Sequence, residues 1–200
     1  ILGKKNTAIY SFGISITTWF GQNTKGGYEE LARILGEAAG KEVHTQYHIP
    51  FNISKETSNK IYELYQNIRK KIKNPDVNNL SKEIESFAIK AEGVNEDKVV
   101  DVFIKDEKDN LLFIDISSPK ANMKESGALK LKLMTWLALG YANYEYKSIS
   151  AIIGFPYNPY HPEPYSRFST EIFDKDNDIL IQEKFWAAIA GFDVYDDLNI

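Results

Sequence analysis

The sequence predicts an α/β (α+β) fold, a mixed β-sheet flanked by helices, and three observations lead there. Val99 to Ile104 and Leu111 to Ile116 are short runs of β-branched and other apolar residues, separated by the charged segment Lys105 to Asn110. Runs of this kind joined by a short polar loop form a β-hairpin. A helix-patterned stretch, about Ser126 to Tyr144, then leads to a further apolar run, Ser150 to Phe155. A helical crossover between strands returns the chain parallel, so the sheet is expected to mix antiparallel and parallel pairs. The earlier part of the chain carries helical periodicity, which supplies the flanking layers.

Two hundred residues fit one domain with a sizeable core. The expected division is a core at about 97–155, a helical N-terminal part over 1–96, and a Pro/Tyr loop with a C-terminal helix over 156–200. Tyr28, Leu31, Ala32, Leu35 and Ala39 are spaced as a helix, with Gly40 as its stop. Val43 to Phe51 alternates as a strand, with His44 and His48 on one face as partly buried structural residues. Ile61, Leu64, Tyr65, Ile68 and Ile72 mark an amphipathic helix over Thr57 to Lys73. Leu80, Ile84, Phe87, Ala88 and Ala91 mark a second helix, stopped by Gly93. Phe155 to Phe168 holds four prolines and three tyrosines, which excludes regular helix or central strand and predicts a stiff aromatic loop. Asp174 to Asp178 reads as a solvated turn, because no Gly or closing Glu falls where a calcium loop needs one. Glu183 to Ala190 reads as a terminal helix stopped by Gly191.

The chemistry centres on the hairpin. Alternation puts Asp101 with Phe103 on one strand face, and Asp115 with Phe113 and Ser117 on one face. Two readings are open. Both acids can lie on the solvated side of an antiparallel sheet. Alternatively they sit side by side among apolar residues, where a divalent cation is the simplest compensation and oxygen ligands favour Mg²⁺, with Mn²⁺ as a substitute. Glu29, beside the small residues Ala32 and Gly36, is either a first-turn acid favoured by the helix dipole or a third ligand. Lys124, Lys130 and Lys132 cluster in the N-terminal half of the crossover helix, as solvated lysines or as phosphate contacts.

Composition narrows the possibilities. There is no cysteine, which excludes disulfides, zinc–thiolate sites and thiol nucleophiles, and three histidines leave little room for a His-based centre. No run of about 18 apolar residues appears, so no membrane span is expected and the cytoplasm is the expected location. The net charge of −4 argues against a nonspecific nucleic-acid binder, but its distribution is uneven. Residues 120–147 carry five basic and two acidic side chains, whereas 171–200 carry two basic and eight acidic, so an acidic average can conceal a basic groove.

Asp101 and Asp115, followed by a basic crossover helix and a buried strand, resemble the PD-(D/E)XK nuclease fold. Tyr28-Glu29, Ser118-Pro119-Lys120-Ala121-Asn122, Pro156-Tyr157-Asn158-Pro159-Tyr160 with Pro164-Tyr165, and Lys184-Phe185-Trp186 with Gly191 and Tyr195 are similar to Type II restriction endonucleases, most nearly the TdeIII-like group. The resemblance implies Mg²⁺-dependent hydrolysis of double-stranded DNA, leaving 5′-phosphate and 3′-hydroxyl ends. It implies Asp101, Asp115, the Ile116 carbonyl and Glu29 as metal ligands. It implies DNA contacts at Lys120, Asn122, Lys124, Lys130, Tyr157, Asn158 and Tyr160, a homodimer, and a partner DNA methyltransferase. The chain departs at the lysine expected two residues after the second carboxylate, where Ser117 stands. Ser117 positions water but carries no charge, so the candidates for balancing charge there are Lys120, three residues further on, the metal itself, or nothing. The alternative is a catalytically silent DNA-binding module.

Overall fold

The computed structural model describes residues 27–93, 98–119 and 122–198. The chain runs α1 (Tyr28–Ala38), β1 (Glu42–His48), β2 (Asn52–Ile53), α2 (Lys55–Arg69), α3 (Val77–Phe87), β3 (Lys90–Ala91), β4 (Val99–Lys105) and β5 (Asn110–Ile116). It continues with α4 (Met123–Asn143), β6 (Ser148–Phe155), a 3₁₀ turn (Phe168–Thr170), β7 (Ile179–Ile181), α5 (Glu183–Ala190) and α6 (Tyr195–Leu198). The main sheet has the order β1-β4-β5-β6-β7, and β2 pairs with β3 in a small separate ribbon. β1–β4 and β4–β5 are antiparallel, whereas β5–β6 and β6–β7 are parallel. The mixed sheet and its crossover helix are therefore as the sequence predicts.

Local chemistry sets the boundaries. In the hairpin loop, Asp106 Oδ1 accepts from the Lys108 N–H at 2.8 Å and the Asn110 N–H at 2.9 Å, a side-chain turn that brings β5 back beside β4. α2 opens on Ser54, which accepts from the Thr57 N–H, and α3 on Asp76, which accepts from the Asn79 N–H. α4 opens on a reciprocal cap between Asn122 and Glu125. α5 ends at Gly191, whose φ of 85° suits a left-handed helix stop.

The sheet separates two apolar layers. On one side α4 packs against β5 and β6, with α2 and α3 behind it. Phe103, Phe113, Trp136, Leu137 and Ile153 meet Ile61, Leu64, Leu80 and Ile84 there. On the other side Val102, Ile104, Ile114 and Ile152 pack against Phe185, Trp186 and Ile189 of α5 and Ala32 of α1. A Cβ at Gly154 would collide with the Phe185 ring, so β6 needs glycine where α5 crosses it.

Three expectations change. α3 stops at Phe87, because Thr57 Oγ1 donates to the Phe87 carbonyl and accepts from the Ile89 N–H, turning the chain into β3, where Ala91 pairs with Asn52. Ala88 and Ala91 thus follow the helix rather than extend it. His44 and His48 are exposed, because β1 is an edge strand. Asp178 is no solvated turn residue: it is 2% exposed and paired with Lys130.

Candidate active site

β4 and β5 pair with Val102 opposite Ile114 and Phe103 opposite Phe113. Continuing that register one step puts Asp101 opposite Asp115, on the face covered by α4. Asp115 is 6% exposed and Asp101 is partly buried. The two strands are tied at this point, where Asp101 Oδ2 accepts from the Ile116 N–H at 2.8 Å. The acids are therefore brought together, and the reading that left them on a solvated face is set aside.

Their environment opposes ionisation. Burial first, then the neighbouring Asp115 carboxylate, pushes Asp101 up from 3.8 to about 6, and Glu29 adds to this. Lys132 and the Ile116 N–H act in the opposite direction. The Lys132 ammonium donates to Asp115 Oδ2 from α4. It also lies 4.7 Å from the centroid of the Trp136 ring, one helical turn further on. Gln46, Lys98, Asp101, Lys132 and Trp136 line a cleft of about 520 Å³ that opens this site to solvent.

Glu29 lies near the pair, since its charge is felt at Asp101, but both its oxygens accept from Gln46 Nε2, at 2.9 and 2.8 Å. Gln46 has a φ of 49°, unusual for a residue with a side chain, on the β1 stretch facing Asp101. Glu30 is occupied by Arg33 at 2.6 Å. Among the described residues no group of three or more His, Cys, Asp or Glu side chains is close enough to share a metal. The site thus offers two carboxylates, with Glu29 held beside them. Such a donor set fits Mg²⁺, which is bound by one or two carboxylates and keeps several waters. Asp101 and Asp115 would hold it with the Ile116 carbonyl. A cation there would relieve the repulsion that raises Asp101.

The remaining expected residues divide sharply. Lys120 lies outside the described residues. Lys124 is exposed on the first turn of α4. Lys130 is not on a basic surface: it is 1% exposed, and its ammonium meets Asp178 Oδ2 at 2.5 Å, so no phosphate reaches it. Asn122 is exposed, but its side-chain oxygen caps α4. Asn158 holds its own loop, donating to the Glu163 carbonyl and accepting from the Tyr160 N–H. Tyr157 is half-buried and Tyr160 is exposed. Tyr165 joins this loop to the turn that follows β5 by donating to the Pro119 carbonyl at 2.6 Å. The contact of Lys132 with Asp115 goes beyond the expected lysine cluster. Its signal was a lysine one turn before a tryptophan on the crossover helix, flanking the apolar stripe.

The family model described as HinfI, Type II restriction endonuclease, matches residues 1–200. The chain belongs to this family. The chain is also 26% identical over 196 residues to the Type II restriction enzyme MjaII of Methanocaldococcus jannaschii, an alignment covering 89% of this chain and 51% of that protein. It therefore spans about half the length of the curated relative it matches. No solved structure matches. The mixed sheet flanked by helices is consistent with a restriction-endonuclease fold, and among the described residues no helix is long and apolar enough to cross a membrane.

Proposed function

We propose that this HinfI-family chain is a Mg²⁺-dependent, site-specific endonuclease that hydrolyses both strands of DNA from a PD-(D/E)XK-type centre. The observation that carries the reading is Asp101 opposite Asp115 on an otherwise apolar sheet face, with a lysine ammonium on Asp115. Structural acids are usually kept out of such a place, because an unpaired buried carboxylate is strongly disfavoured. A bound divalent cation would polarise the scissile phosphate and lower the pKa of the attacking water.

Around it, each residue has a definable task. Asp101 and Asp115 fix the oxygen donors, and the Ile116 N–H holds Asp101 in register. The water oxygen bonds to phosphorus as the phosphorus–O3′ bond breaks. One water proton passes to solvent and the departing 3′ oxygen takes up a proton, leaving a 5′-phosphate. Exposed Lys124, with Lys120, supports the reading of a basic approach for the DNA backbone, and Tyr157 and Tyr160 sit on the loop tied to the turn that follows β5. Cutting two strands is served by a homodimer. A cognate methyltransferase and a cytoplasmic location belong to the same proposal.

Ser117 in place of the motif lysine favours a second reading, a silent DNA-binding module of the same fold. Incubating plasmid DNA with the protein in Mg²⁺, and measuring gel shifts in Ca²⁺, separates the two. Discrete Mg²⁺-dependent fragments support the nuclease. Shifts without cleavage support the silent module, and the absence of both cleavage and shifts argues against DNA as the substrate.

A further inference from the structure

We infer that Lys132 supplies, from the crossover helix, the positive charge at the carboxylate pair that the strand lacks at Ser117. The inference rests on the nuclease reading above and goes beyond it by naming the residue that balances charge at the scissile phosphate.

The geometry separates Lys132 from an ordinary structural lysine. Two lysines two residues apart on α4 each meet a buried aspartate, Lys130 with Asp178 and Lys132 with Asp115. The first pair is shut, its side chains 2% and 3% exposed. The second is open on one side: the side chain of Asp115 is 8% exposed, but that of Lys132 is 36% exposed and lines the cleft with Asp101. The ammonium is therefore joined to a buried acid and also faces the space where a phosphate would arrive.

It is also held in place. A lysine stem is flexible and orients poorly by itself. Here the charge lies between Asp115 Oδ2 and the face of Trp136, and that ring is 1% exposed and packed in the core. Cation–π contact and ion pair together restrict where the charge sits. The substitution is chemically sound, because a lysine helps such a reaction by where its charge lies, not by which element carries it. As the water oxygen bonds to phosphorus and the phosphorus–O3′ bond breaks, negative charge gathers on the non-bridging oxygens. A fixed ammonium at the cleft wall stabilises it. Ser117, just beyond the end of β5 on the Asp115 side, is the place a strand-borne lysine would occupy.

Asp115 Oδ2 is an oxygen that a cation would need, so ammonium and cation oppose one another there in the absence of DNA. This gives a readout independent of turnover. Lys132→Met should slow Mg²⁺-dependent cleavage by at least about 100-fold, the scale of one lost stabilising group. It should still shift DNA in Ca²⁺, which separates loss of cleavage from loss of binding. Calorimetric titration without DNA should show Mn²⁺ binding tightened by about tenfold, from removal of one adjacent positive charge. Ser117→Lys in the Lys132→Met background should restore most of the cleavage. Wild-type cleavage by Lys132→Met, unchanged or weaker Mn²⁺ binding, or failure of Ser117→Lys to restore cleavage in a folded protein each overturns the inference. Should Lys132→Met not fold, Lys132→Gln, which still donates to Asp115, carries the same measurements. A wild-type chain that cuts no DNA refutes the nuclease reading instead, and the Mn²⁺ titration still decides whether Lys132 governs the site.

Discussion

Asp101 should make the metal-free protein less stable, and Asp101→Asn should reverse this. In the folded chain burial and the Asp115 carboxylate raise Asp101 from 3.8 to about 6. The folded state therefore keeps a proton that the unfolded chain releases, so stability falls as pH rises between about 4 and 6 and the full penalty persists above that window. A shift of about two units corresponds to about 3 kcal/mol, an upper bound for a partly buried group coupled to Asp115, Lys132 and Glu29. Asparagine keeps an oxygen for the Ile116 N–H and removes the charge. In EDTA at pH 8 the substitution should stabilise by about 1–3 kcal/mol, a rise in Tm of a few degrees for a chain of this size. At pH 4 the gain should shrink to about 0.5 kcal/mol or less. Excess Mg²⁺ should invert the order, stabilising wild type and leaving Asp101→Asn unchanged. Urea titrations at the two pH values, with and without Mg²⁺, measure all of this. A gain equal at both pH values, or a loss at pH 8, would mean that a raised Asp101 pKa does not destabilise the fold.

Lys130→Met should destabilise by about 3–5 kcal/mol, because Asp178 would be left buried without its cation, and adding Asp178→Asn should recover much of the loss in urea melts. Gly154→Ala should destabilise by about 1–3 kcal/mol, since the new methyl group meets the Phe185 ring of α5, measurable by thermal unfolding. If exposed Lys124 contacts a phosphate, Lys124→Ala should lower the slope of log affinity against log salt by about one, read from gel shifts in Ca²⁺.

What was legible in the sequence followed from local periodicity. The hairpin, its two acids and the parallel return through α4 came from alternation and crossover length, which need no knowledge of distant contacts. The pairing of lysines with acids did not. Lys130 stands three residues before Leu133 and seven before Leu137, at the spacing of the apolar stripe, yet its charge led to the expectation of a solvated or phosphate-contacting lysine, whereas it is buried. Its partner Asp178 lies 48 residues on, in a segment whose polarity looked solvated. Lys132 required knowing how α4 is rotated over the end of β5, which depends on packing against Phe113 and Ile153. The exposure of His44 and His48 depended on β1 being an edge strand, and the early stop of α3 on a single hydroxyl from α2.

The proposed function makes Asp101 and Asp115 one cation-dependent centre for cutting DNA. Its most direct test is single-turnover cleavage of plasmid DNA in Mg²⁺ by wild type and by Asp115→Asn, with Ca²⁺ gel shifts on the same preparations. Wild type should cut discretely, with cutting abolished by EDTA, and Asp115→Asn should lose at least about 100-fold with DNA retention preserved. Equal cutting by the two proteins, or wild-type cutting that persists in EDTA, would contradict the proposed function.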